Sequence, residues 1–152
     1  MAAYDVLKFV HVLLAVTALG ANITYGVWLT RAAREPQHLD HILRGITWLD
    51  SRMANPAYIL LFVTGAGLVF AGHVSWQASW LLTAVALYAV VAALGIVGYA
   101  PVLRAQAAAL RRDGPAAASY RALDARARRL GLVIVALVVA IVFLMVTKPA
   151  LW

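Results

Sequence analysis

The stretch LGLVIVALVVAIVFLMVT, Leu130–Thr147, decides the fold. It carries no charge and no proline. At about 1.5 Å per residue it makes a helix of about 27 Å, close to the roughly 30 Å of a bilayer's hydrocarbon core. Arg121, Arg126, Arg128 and Arg129 lie just before it, so a basic segment abuts an apolar one. Three further apolar stretches run from about Val6 to Leu29, Pro56 to Gly72 and Trp80 to Leu103. Lys8 and His11 are the only charged or imidazole side chains within the four. The expected fold is all-α: a bundle of four transmembrane helices forming a single integral membrane domain over residues 1–152.

Composition supports this reading. The chain is 64% hydrophobic and 12% charged, beyond the balance of an ordinary soluble domain. With 152 residues and four spans, no room remains for a separate soluble catalytic domain. The first stretch is too long for a signal-peptide core and no A-x-A site follows it, so it is expected to be retained. The absence of cysteine excludes disulfides, thiolate metal sites and iron–sulfur clusters.

A net charge of +7 raises the question of nucleic acid, and the distribution of that charge answers it. Arg31, Arg34, Arg44 and Arg52 lie between spans one and two. Arg104, Arg111, Arg112, Arg121, Arg126, Arg128 and Arg129 lie between spans three and four. The connection between spans two and three has no Lys or Arg, only His73. This is the positive-inside pattern. It places two basic connections in the cytoplasm, against anionic headgroups, and both termini outside. No nucleic-acid partner is expected, because no stacking platform accompanies the charge.

Aromatic residues mark the boundaries: Tyr4, Trp76, Trp80 and Trp152 at the outer interface, Trp28 and Trp48 at the inner one. Leu39, Ile42, Leu43, Ile46, Leu49 and Met53 recur at helical spacing, which predicts a short interfacial helix between spans one and two. Pro36 precedes it, and Asn55-Pro56 is expected to separate it from span two. Asp113-Gly114-Pro115 reads as a turn joining spans three and four into an αα-hairpin. Pro101 is expected to kink span three. Gly65, Gly67, Gly72, Gly95 and Gly98, with Gly20 and Gly26 on span one, predict close helix packing.

Few residues can carry chemistry. Lys8 and His11 share a helix face one turn apart. Lysine near a boundary snorkels to the surface, whereas an imidazole deeper in the span needs a hydrogen-bond partner or a metal. The topology brings His73 and Lys148 to the same side of the membrane as His11. Two imidazoles on facing helices are what axial ligation of a b-type haem requires, so His11 and His73 are candidate metal ligands, with Lys8 and Lys148 beside them. A structural histidine bonded to a neighbouring hydroxyl or carbonyl is the plainer alternative for His11, and a solvated turn residue for His73. Asn22, mid-span, is expected to bond across helices. His38 and His41 have metal-pair spacing but read as solvated. No HExxH, GxSxG or phosphate loop occurs.

The run Leu7-Lys8-Phe9-Val10-His11-Val12-Leu13 is followed by Asn55-Pro56-Ala57, Thr64-Gly65 and Met145-Val146-Thr147-Lys148-Pro149. In that order and spacing, the chain resembles a bacterial family of small predicted integral membrane proteins of unknown function. More distantly it is similar to haem-containing protoporphyrinogen oxidases of the HemJ type and to CopD-like membrane domains. The resemblance implies a multi-pass protein of the bacterial cytoplasmic (inner) membrane and haem ligation by His11. HemJ-type enzymes also carry a functional lysine after a Trp-Leu pair. Here Trp80-Leu81 is followed by Leu82, Thr83 and Ala84, which counts against oxidase activity.

Two functional readings follow. In the first, the bundle binds haem b or a metal at its outer side through His11 for redox or haem-related chemistry. In the second, it is a non-catalytic accessory subunit packed against a larger membrane complex, or against further copies of itself. Transport has the least support, since the spans do not repeat.

Overall fold

The periodicities of the sequence become four long helical rods in a computed structural model that describes residues 2–32 and 34–152. Helix α1 covers Ala2–Ala32. After a short 3-10 turn, α2 (Leu39–Leu49) runs through a wide π turn, Asp50–Ala54, into α3 (Asn55–Ala71). Helix α4 (Ser79–Ala93) runs likewise through a second π segment, Leu94–Tyr99, into α5 (Ala100–Asp113). Helix α6 covers Ala118–Thr147. The rods Ala3–Ala32, Leu39–Ala71, Ser79–Asp113 and Ala118–Thr147 are each long and apolar enough to cross a membrane.

The two π segments change the expected course of the chain. Pro56 does not separate α2 from span two, and at Pro101, where a kink is expected, the rod passes through a π segment and continues to Asp113. A helical proline lacks the N–H for the carbonyl four residues back, and its ring collides with that carbonyl. A wider turn placed just before it moves the carbonyl away, so the rod continues. The segment at residues 39–49 is therefore helical as expected, but it extends α3 rather than standing apart as a separate interfacial helix. At 33 residues the Leu39–Ala71 rod is about 50 Å long, well beyond the hydrocarbon core.

The projecting ends pack as a soluble protein would. Tyr25, Leu29, Ala32, Leu39, Leu43, Ile46, Ala54, Leu103, Ala109, Leu110 and Tyr120 form one buried cluster at the basic end. Here water supplies the drive to bury apolar surface. Ion pairs rim it: Asp40 with Arg44 at 3.0 Å and Arg111 at 3.8 Å, and Asp124 with Arg128 at 2.8 Å. The Gly114 turn has φ 83°, and Asp113 anchors it by accepting from Arg112 and from Ser119 Oγ at 2.7 Å.

Within the membrane, α1 packs antiparallel on α3, α4 on α6, and α1 also touches α6. Small residues set the approach where lipid competes for every apolar surface. A Cβ on Gly67 would lie 3.1 Å from Leu7, and one on Gly72 3.0 Å from the Tyr4 ring. Gly98 faces Leu130. Gly20, Gly26 and Gly95 depart from expectation, because each faces open space rather than a neighbouring helix.

Candidate functional site

His11 is held at the α1–α3 seam. Its Nδ1 lies 2.8 Å from Thr64 Oγ1, and Thr64 Oγ1 lies 2.7 Å from the carbonyl of Leu60 one turn back. The Thr64 hydroxyl has one proton, and a carbonyl can only accept, so that proton goes to Leu60. With that proton on Leu60, Thr64 Oγ1 is placed to accept from Nδ1–H, the imidazole tautomer that suits both contacts. The consequence is chemical. In that tautomer Nε2 keeps its lone pair; it meets no side-chain partner among the described residues, and the Leu61 carbonyl lies near the ring.

Local sequence explains the placement. His11 and Leu7 lie one turn apart on the face of α1 that meets α3. Opposite them, Gly65 lacks the side chain that would crowd the ring: a Cβ there would stand 3.2 Å from His11 Cε1. The histidine is half-buried in apolar surroundings. Thr64 is a membrane hydroxyl whose i−4 bond to its own helix costs nothing in packing.

The other candidate residues do not gather around His11. Lys8 is exposed one turn above it on α1. Along α3, His73 lies roughly 12 Å beyond the Thr64–Gly65 level, past Gly72, where Tyr4 rather than His11 packs. His73 is exposed in a turn with φ 49°. Lys148 caps α6 with φ 46° and sits 5.5 Å over the Trp80 ring, a cation–π contact within the α4–α6 pair. Among the described residues no group of three or more His, Asp or Glu is arranged to hold a metal ion. The site is thus one imidazole, not a cluster.

A second polar assembly lies deeper. Asn22 Nδ2 donates to Tyr58 Oη at 2.7 Å and to the Ala18 carbonyl at 2.8 Å, so the expected cross-helix amide bond is present. Tyr88 Oη donates to the Tyr58 carbonyl at 2.7 Å, tying α4 to α3. Tyr25 is 2% exposed, and its hydroxyl has no partner among the described residues. Asp50 lies in the π turn at the basic end, where it accepts from Asn55 Nδ2 at 3.1 Å. Reading tyrosines only as interface markers hides this assembly. A hydroxyl inside an apolar run, facing a mid-span asparagine, is the signal for it.

The family model described as "Predicted integral membrane protein (DUF2269)" matches residues 5–149, and the chain belongs to that family. No curated protein and no solved structure matches, so the likeness to HemJ-type oxidases and CopD-like domains finds no support there.

Proposed function

We propose that this member of the DUF2269 family, an integral multi-pass membrane protein, binds a b-type haem through His11 Nε2 and serves redox or haem-related chemistry. One observation carries the reading: His11 Nδ1 meets Thr64 Oγ1 at 2.8 Å, an arrangement that, with the proton on Nδ1, leaves the Nε2 lone pair available to a ligand. Haem-ligating and metal-ligating histidines are oriented in this way, with the distal nitrogen bonded to a second residue. A bare ion needs three or four protein donors, which the described residues do not gather. A porphyrin brings four nitrogens of its own, and one imidazole then suffices as an axial ligand.

Haem supplies one-electron transfer when bound. The chain's own residues do the rest. His11 offers the ligating nitrogen, and Thr64 fixes the ring's orientation and tautomer. The Leu60 carbonyl fixes the Thr64 proton, and Gly65 leaves room for the ring. The apolar walls of α1 and α3 exclude water and lower the local dielectric. His73, about two turns away along α3, would not hold the group together with His11.

A second reading rests on α1. Only 6% of its most apolar window is buried within the chain, against 17–22% in the other three rods. Phe9, Leu13 and Val16 lie exposed along it. This face suits an accessory role beside another membrane subunit or a second copy. The readings separate by experiment: a haem protein purifies coloured, with a Soret band lost in His11→Ala. An accessory subunit purifies colourless and brings a defined partner with it in mild detergent.

A further inference from the structure

The elbow between α1 and α2 forms a half-open recess of about 210 Å³ lined by Trp28, Arg31, Ala32, Glu35, His38, His41 and Ile42. At about 30 Å³ per water it has room for a small polar group, not an acyl chain. It opens at the basic end, at the level of Trp28, an interfacial aromatic that is half exposed.

Its two charges, Arg31 and Glu35, are opposite and do not pair with each other among the described residues. Arg31 takes part in none of the ion pairs found among the described residues. Glu35 has only His38 near it, at 3.8 Å, beyond hydrogen-bond reach. Arg31 and Glu35 thus border one cavity without pairing with each other. An anion alone would meet the Glu35 carboxylate, and a cation alone would meet the Arg31 guanidinium. A zwitterion satisfies both.

We propose that this elbow binds the phosphoethanolamine head of a membrane phospholipid. Arg31 offers its planar fork to the phosphate, a match of geometry as well as charge. Glu35 accepts from the primary ammonium, with the Trp28 ring alongside it as a cation–π surface. The His38 and His41 imidazoles give further donors to the phosphate. The acyl chains run down the exposed apolar flank of α1, where Val27 and Ile23 face outward. A trimethylated choline head cannot donate to Glu35, and a glycerol head has no cation to offer. The site therefore distinguishes phosphatidylethanolamine from both. None of this depends on the His11 contacts.

The test is lipid retention. The full chain is reconstituted in nanodiscs of equal parts phosphatidylethanolamine, phosphatidylcholine and phosphatidylglycerol, then released gently and examined by native mass spectrometry. Phosphatidylethanolamine should be retained in preference to both others. Arg31→Gln or Glu35→Gln should cut that preference about tenfold, the loss of one charge-assisted hydrogen bond. Arg34→Gln, outside the cavity, should leave it unchanged, and Arg31→Lys should weaken it while preserving charge. Soluble phosphoethanolamine at millimolar concentration should displace the lipid if the head alone is recognised; failure to compete would show that the site does not read the head and would overturn the proposal. Equal retention of all three lipids, or unchanged preference in both Gln variants, would also overturn it.

Discussion

Thr64→Val removes one hydroxyl and replaces it with a methyl of similar size, leaving packing nearly unchanged. What it takes away is the 2.8 Å contact with His11 Nδ1. Hydrogen bonds between membrane helices average about 0.6 kcal/mol in double-mutant cycles and reach about 1.7 kcal/mol. The imidazole is half-buried, and its N–H would be stranded in apolar surroundings, so the upper part of that range applies. A loss of about 1 to 1.7 kcal/mol multiplies the unfolded population roughly 5- to 20-fold. The assay is equilibrium unfolding in mixed micelles of the wild type, Thr64→Val, His11→Ala and the double variant, with the coupling energy taken from the cycle. A second readout is the nitrogen spectrum of His11, which should show the proton on Nδ1 in the wild type and a shift toward Nε2 in Thr64→Val. A coupling below about 0.3 kcal/mol, or a wild-type proton on Nε2, would refute the account of this contact.

Gly72→Ala should destabilise the end of the bundle at the α3–α4 turn, because its Cβ would stand 2.8 Å from the Leu68 carbonyl and 3.0 Å from the Tyr4 ring; a thermal melt no lower than wild type would contradict this. Tyr25→Phe deletes a buried hydroxyl that has no partner among the described residues and should be neutral or stabilising, whereas Tyr58→Phe breaks the Asn22 contact and should cost about 0.6 to 1.7 kcal/mol. The reverse order in unfolding measurements would show that the polar assembly is misread. Asp113 lies beyond the end of span three, and its contacts with Arg112 and Ser119 depress its pKa from 3.8 to about 2. A depressed carboxyl contributes stability above its unfolded value, so protection of the turn amides should hold above about pH 4 and fall away toward pH 2. Asp113→Asn should abolish that pH dependence in hydrogen exchange.

Apolar length alone makes the four spans legible, and hydrophobicity summed over about 20 residues is a strong signal. The helical periodicity at Leu39–Met53 is equally plain. Its continuity with α3 is not, because Asn55-Pro56 is a stop signal in water. Only the neighbouring π turn, a tertiary accommodation, removes the clash. His11 stands out as an imidazole in an apolar run, yet its partner Thr64 is 53 residues away and looks like any membrane threonine. Topology places His73 and Lys148 on the same side as His11 without fixing depth. Depth separates them, since Tyr4 rather than His11 meets the end of α3. The glycines divide for a similar reason: Gly65, Gly67 and Gly72 repeat along the face of α3 that meets α1, while Gly20 and Gly26 point elsewhere.

The central claim is a haem nitrogen at His11, and an absorption spectrum tests it most directly. The protein would be purified in mild detergent from haem-replete cells and recorded oxidised and dithionite-reduced, beside His11→Ala. The account predicts a stoichiometric b-type spectrum in the wild type and its loss in the variant. A featureless wild-type spectrum at full haem supply, or a Soret band that persists in His11→Ala, would contradict it.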